Sequence, residues 1–154
     1  MTPIPDERPR RASAPDAGAG APGASDPRLR PLVTRFLDAW SAQDVERVLD
    51  CYTDDVRYRD PNTRGFVEGR AALRRYLTKL FSAWQMTWHE RELFALREAD
   101  GVAFLWRATF RRPGGAVVVE ADGMDLALLE GERLARNEVY FDRAVLAPFL
   151  GAPG

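Results

Sequence analysis

The stretch "RFLDAWSAQDVERVLDCYTDDVRYRDP", Arg35 to Pro61, changes its hydrophobic period part-way along. Phe36, Leu37 and Trp40 extend an apolar face begun by Leu32 and Val33, and all five fall on one side of a helix. Asp44 is placed to cap a second helix, with Val45, Val48, Leu49 and Tyr52 as its stripe. The period then drops to two. Val56 and Tyr58 alternate with Arg57 and Arg59, as on a half-buried strand. The next in-facing position holds Asp60, followed at once by Pro61. A proline biases the preceding residue toward extended geometry, so Asp60 is expected at the end of a strand over 56–60, aimed inward. Asp-Pro also commonly starts a turn, and both readings stand at this position.

Upstream, Asp26 or Ser25 is placed to cap the first helix, and Pro31 suits its first turn. Residues 1–27 are dense in Pro, Ala, Gly and Ser. Such a segment buries too little surface to offset its ordering entropy, so it reads as a disordered tail. The folded domain is expected over 28–151. Downstream, Gly69 precedes a third helix over Arg70–Ser82, with Leu73, Tyr76 or Leu77, and Leu80 turned inward. Asp100-Gly101, "RPGGA" at 112–116 and "EGE" at 130–132 are turn signals. They separate strands predicted over 86–97, 102–111, 116–129 and 133–141. A last short helix, capped by Asp142, carries Val145, Leu146, Phe149 and Leu150. Helices followed by an antiparallel meander make an α+β domain, with helices on one face of a curved sheet.

Strand parity then selects the inner face. On 102–111 the even set Val102, Phe104, Trp106, Ala108 and Phe110 faces inward, leaving Arg107 outside. On 116–129 the odd set is apolar or glycine except for Asp125. The even set adds Val118, Met124, Leu126 and Leu128, so both faces look partly covered, as when a second subunit packs on the outside. A bulge near Gly123 would reverse this parity. On 133–141 the odd set places Asn137, Val139 and Phe141 inside, with Leu134 and Glu138 outside. Asp60, Asp125 and Asn137 are therefore the polar groups on apolar faces. Ala121, Gly123 and Ala127 beside Asp125 leave space for a cavity. A buried, unpaired carboxylate tends to keep its proton.

Bulk properties narrow the function. The 154 residues carry a formal charge of −1, with both signs mixed along the chain. That argues against a nucleic-acid or membrane-surface binder. No apolar run approaches the length of a membrane span. The single cysteine, Cys51, excludes an internal disulfide framework and fits a reducing cytoplasm. The single histidine, His89, leaves no His-rich metal site, and it reads as a polar strand residue. The four tryptophans read as core or pocket wall.

The order of "LDCYTDDV", the strand end "RDP", "VEGRAALRRYL" and the terminal "NEVYFD" resembles the nuclear transport factor 2-like superfamily. Within it, the chain is most similar to SnoaL-like polyketide cyclases and ketosteroid isomerases, over about residues 29–150. The resemblance implies a cone-shaped α+β domain whose N-terminal helices pack on a curved, mainly antiparallel sheet and enclose an apolar pocket. It further implies a homodimer through the sheet, a small apolar ligand, and no metal or cofactor. Asp60 falls where the isomerases hold their general base, and Asp125 where they hold an oxyanion-binding acid. Phe36 falls at the position of the oxyanion tyrosine and has no donor. Phe36, Trp40, Tyr58, Trp106, Asn137 and Phe141 are the expected ligand-binding set. Arg107, on the outer face, does not supply the Asp–Arg–Asp relay of the superfamily's epoxide hydrolases. Two functions are expected from this. One is an isomerase- or cyclase-like acid–base enzyme acting on a small carbonyl compound; the other is a non-catalytic ligand-binding or dimerisation domain.

Overall fold

The computed structural model describes residues 26–150; the predicted tail lies outside them, apart from its last two residues. Helix α1 (Leu29–Ala42) and helix α2 (Val45–Asp50) are followed by strand β1 (Tyr52–Arg59), the two-residue strand β2 (Val67–Glu68) and helix α3 (Arg70–Ala83). Strands β3 (Gln85–Ala95), β4 (Gly101–Arg111), β5 (Val118–Glu130) and β6 (Arg133–Phe141) form the meander. A 3₁₀ turn (Arg143–Leu146) and the short helix α4 (Ala147–Leu150) end it. One six-stranded sheet has the order β2-β1-β6-β5-β4-β3. Only the β1·β6 pair is parallel. The α+β class expected from the sequence is the class observed.

The local signals explain most boundaries. Asp44 caps α2 by accepting from the Arg47 N–H at 3.1 Å. Asp142 accepts from the Ala144 N–H at 2.9 Å, but what it starts is the 3₁₀ turn. Asp26 accepts the Arg28 N–H at 3.0 Å in a turn just ahead of α1, rather than capping the helix itself. The helix α1 ends at Gln43, a non-glycine residue at φ 51°. Its side chain shows why it is there. The amide donates to the Trp84 carbonyl at 2.7 Å and accepts from the Met86 N–H at 2.9 Å, tying α1 to the junction of α3 and β3. Ser41 Oγ accepts the Trp88 N–H at 3.0 Å. These side chains occupy the free edge of β3, which otherwise has only β4 as a neighbour.

Three expectations are corrected. Tyr52 is not on the second helix's stripe: α2 stops at Asp50 and Tyr52 opens β1, four residues before the predicted start at Val56. Its side chain is fully buried on the inner face. Leu134, assigned outward, is fully buried on the inner face. For Leu134 the cause is a bulge. The β5·β6 register steps from Leu128↔Arg136 to Leu129↔Leu134, so Ala135 is the extra residue and parity reverses there, not at Gly123. Glu138 does lie on the outer face, where Arg59 and Arg136 close over it. Finally, the space beside Gly123 is filled. A Cβ there would stand 2.5 Å from Trp106 Cη2, because the indole of Trp106 lies directly across the glycine.

The core lies between sheet and helices: Leu29, Val33, Phe36 and Trp40 from α1, Val48 and Leu49 from α2, and Leu73 and Leu77 from α3 pack on Val56, Tyr58, Phe104 and Trp106. Gly123→Ala is expected to push Trp106 off its seat and destabilise the domain by about 1–3 kcal/mol, an overpacking cost. Urea unfolding of the two proteins checks this.

Candidate functional site

Asp125 sits in the middle of β5 and is 4% exposed. A carboxylate so buried needs donors, and neighbouring strands supply two. Trp106 Nε1 on β4 donates to its Oδ1 at 2.8 Å. Asn137 Nδ2 on β6 donates to its Oδ2 at 2.9 Å. Asn137 is itself held by Tyr52 on β1, whose hydroxyl donates to Oδ1 of the amide at 2.7 Å. The chain Tyr52–Asn137–Asp125–Trp106 therefore crosses four strands. Burial pushes the Asp125 carboxyl up to about 7; the two donors oppose that rise, and the charge of Asp60 adds to it.

Asp60 follows the last residue of β1 and begins a turn. Its Oδ1 accepts the Asn62 N–H at 2.7 Å, and its carbonyl accepts the Thr63 N–H at 3.1 Å. Its Oδ2 faces inward and accepts from the Tyr58 hydroxyl at 2.8 Å and from the Tyr76 hydroxyl of α3. Both readings of Asp-Pro are thus realised in one side chain. Burial, reinforced by the Asp60 charge, holds the phenols of Tyr58 and Tyr76 above the usual tyrosine value, so both stay donors.

The resemblance implied one apolar pocket. The interior instead holds two cavities of about 20 Å³ each, about the room one water needs. The first is lined by Phe36, Trp106 and Asp125, and the second by Asp60, Phe110 and Phe141. Trp40, Tyr58, Trp88 and Val139 line both, so they form the partition. Trp40 stacks on Tyr58 at 6.0 Å between centroids and meets Trp88 edge-on at 5.8 Å. Trp88 meets Trp106 edge-on at 4.6 Å.

Of the expected ligand-binding set, Phe36, Trp40, Tyr58, Trp106 and Phe141 reach a cavity wall. Asn137 is fully buried behind Asp125, with its amide engaged by Asp125 and Tyr52. Phe36 packs edge-on against Tyr52 at 5.8 Å and contributes no donor. His89 is exposed on the outer face opposite Arg107, which pairs with Asp122. Cys51 is buried, and burial raises its thiol. The expected ligand-binding set leaves out Tyr52, Tyr76 and Trp88, although Trp88 is a cavity wall, as the reading of the four tryptophans as core or pocket wall allowed. Tyr76 was open in the helix pattern, and Trp88 carried the signal of an aromatic on a strand. Among the described residues, no three His, Cys, Asp or Glu side chains gather as a metal site requires, and no helix is long and apolar enough to cross a membrane.

The profile of the SnoaL-like domain matches residues 33–137, about two thirds of the chain. The chain belongs to the SnoaL-like domain family. Its fold is also that of solved nuclear transport factor 2-like and ketosteroid isomerase-like proteins. A protein of ketosteroid isomerase-like fold from Catenulispora acidiphila, solved with trimethylamine, is 17% identical with a TM-score of 0.69, over 80% of this chain and 98% of that one. TerC, crystallised with polyporic acid, is 16% identical with a TM-score of 0.69, over 82% and 100%. The epoxide hydrolase/cyclase-like enzyme SalBIII of salinomycin pyran-ring formation is 21% identical with a TM-score of 0.65, over 74% and 90%. No curated protein is significantly similar to this SnoaL-like chain in sequence.

The raised carboxyl of Asp125 has a consequence for stability. Between the ordinary value of 3.8 and about 7, the folded state holds a proton that the unfolded state has released. Unfolding in that window releases the proton, so stability falls as pH rises. The contribution is complete below the lower value and lost above the upper one. Wild-type stability is expected to drop across this window with a slope approaching about 1.4 kcal/mol per pH unit. Asp125→Asn removes the slope. Denaturant melts at about pH 4.5, 6 and 7.5 check it.

Proposed function

We propose that this domain is a cofactor-independent acid–base enzyme of the isomerase or cyclase type, acting on a small apolar carbonyl compound. The observation that carries this reading is the split between two carboxyls. Asp125 is buried at one cavity with its carboxyl raised to about 7, and Asp60 faces the adjoining cavity among donors only. Two carboxyls in environments this different suit opposite proton roles. Asp60 takes a proton from the carbon beside the substrate carbonyl. Neutral Asp125 donates a hydrogen bond to the enolate oxygen that results. In an unsaturated substrate the proton then returns from Asp60 to a different carbon of the extended enolate, an isomerisation; otherwise the enolate carbon attacks an internal carbonyl, whose oxygen takes the proton from Asp60, a cyclisation. Asn137 and Trp106 position Asp125. Binding joins the two cavities by displacing the aromatic partition.

A second reading is a non-catalytic ligand-binding domain. Phe36, with no donor at the inner end of the site, and the small cavities favour it. Deuterium uptake at the α-carbon of small aryl ketones in D₂O, followed by NMR, separates the two. The acid–base reading expects uptake faster than the buffer reaction, and a loss of about 10²–10⁴-fold in Asp60→Asn. Asp125→Asn is expected to lose less. Uptake equal in wild type and Asp60→Asn would leave only the binding reading.

We also propose that two copies pair through the outer sheet face. Phe94↔Ala103↔Leu126 and Leu105↔Met124↔Tyr140 run across strands β3 to β6 as one apolar patch, with Phe94 and Tyr140 exposed. A buried Cys51 and the mixed charge fit a reducing cytoplasm for such a dimer. Light scattering should give twice the chain mass for the wild type and the single-chain mass for Leu126→Arg. A monomeric wild type at tens of micromolar would rule the pairing out.

A further inference from the structure

The partition between the cavities contains an unmet chemical demand. Among the described residues, the buried side-chain polar atoms without a hydrogen-bond partner are Trp40 Nε1 and Trp88 Nε1. A buried donor left without an acceptor forfeits its hydration with nothing in return, so such groups in a folded core call for an explanation. These two are not scattered. They belong to the two tryptophans that wall both cavities, in edge-on contact with each other. Trp40 is 5% exposed. The Tyr52 oxygen lies near Trp40 Nε1, but outside hydrogen-bonding geometry. Trp106, the third tryptophan at the site, shows the contrast: its Nε1 is satisfied by Asp125 at 2.8 Å. Backbone ties hold the pair in place, since the Trp88 N–H donates to Ser41 Oγ one residue beyond Trp40 on α1.

We propose that Trp40 and Trp88 are a pair of indole donors for the carbonyl oxygen of a neutral, planar aromatic ligand. This rests on the reading above that the interior is the ligand site, and it assigns the oxygen-binding groups that reading lacks. The chemistry of the walls limits the ligand class. Two free donors require an acceptor. Flat rings in edge-on contact favour a planar apolar body. The carboxyl of Asp60 on one side disfavours an anion. In the closed state each cavity admits a water at most. A ketone that opens the partition brings the acceptor the indoles lack.

The test uses 1-indanone as the probe and indane, the same ring frame without the carbonyl, as its control. Tryptophan is labelled with ¹⁵N and both titrations are followed through the indole N–H resonances. The proposal expects 1-indanone to bind at least about tenfold more tightly than indane, the worth of one good hydrogen bond. It also expects the Trp40 and Trp88 indole protons to move downfield with one common apparent Kd. Trp40→Phe and Trp88→Phe should each bring the indanone-to-indane ratio down to about threefold or less. The ratio cancels the change in cavity size that either variant causes. Wild type alone already decides the matter if a variant does not fold. Equal affinity for ketone and hydrocarbon, no saturable shift of either indole, or a ratio unchanged in both variants would overturn the proposal, leaving water as the only partner of these donors. Asp60→Asn separates this from the acid–base reading. A preserved ratio with deuterium uptake unaffected by that variant sinks the catalytic assignment alone. A collapsed wild-type ratio with uptake dependent on Asp60 sinks the indole assignment alone.

Discussion

The carboxyl of Asp125 is the point on which the inner sheet face depends. A carboxyl in the centre of an apolar face costs several kcal/mol unless donors reach it. The two donors that do so dictate much of what surrounds them. Trp106 can aim Nε1 at Asp125 only because Gly123 leaves its ring a bed on β5. Asn137 can aim its amide nitrogen only because its oxygen is fixed by Tyr52 from β1. The same four side chains therefore stitch β4, β5, β6 and β1 together across the floor of the domain. The group that creates the electrostatic cost is also the one whose satisfaction specifies the register. On the proposed acid–base reading, the burial that raises its proton affinity is also what would suit this carboxyl to act as an acid near neutrality.

Above that floor, α1 provides the roof, and its position is set by polar contacts at the end of the helix. Gln43 adopts a left-handed conformation that few non-glycine residues tolerate. Its amide, bonded to both sides of the α3–β3 junction, offsets that strain. Together with Ser41 it also occupies the backbone edge of β3. The aromatic partition hangs between these fixtures, Trp40 from the roof and Trp88 from the edge strand.

The sequence carried the architecture well because each element had its own local signal. Asp44 announced α2, alternation announced β4 and the end of β1, and the glycine turns divided the meander. The errors have one kind of origin. Tyr52 sits where a helical stripe and a strand pattern overlap, and only the pairing Tyr52↔Leu134 with β6 settles which wins. The bulge at Ala135 has no composition signature of its own; it reverses the parity of Leu134 through a register that belongs to the partner strand. The carboxylates could be read because a charged residue on an apolar face is visible in one dimension. Tyr76 and Trp88 could not be assigned in the same way. Their part in the site comes from meeting Asp60 and Trp40 across elements; the local pattern marks Trp88 as core or pocket wall and leaves Tyr76 open to face inward, without saying what either meets. Gly123 was read as space, whereas its meaning lies in Trp106, 17 residues earlier.

The closed partition bears on how such a site could be both stable and selective. Edge-on aromatic contacts are each worth about 0.5–1.5 kcal/mol, and a ligand must break some of them to join the cavities. Any affinity is then reduced by the fraction of molecules that are open. A purely apolar ligand recovers only the burial it provides, and it leaves the indole donors unmet as before. A ligand with an acceptor oxygen removes that penalty as well as adding contact. If the indoles are the oxygen-binding donors proposed above, the closed state discriminates by chemistry before shape is tested: opening is unfavourable for hydrocarbons and compensated for carbonyl compounds. On the proposed acid–base reading, the same opening would admit the carbon beside that carbonyl to the space lined by Asp60 and Asp125, so the cost of the partition would fall on ligands that the two carboxyls have no means of transforming.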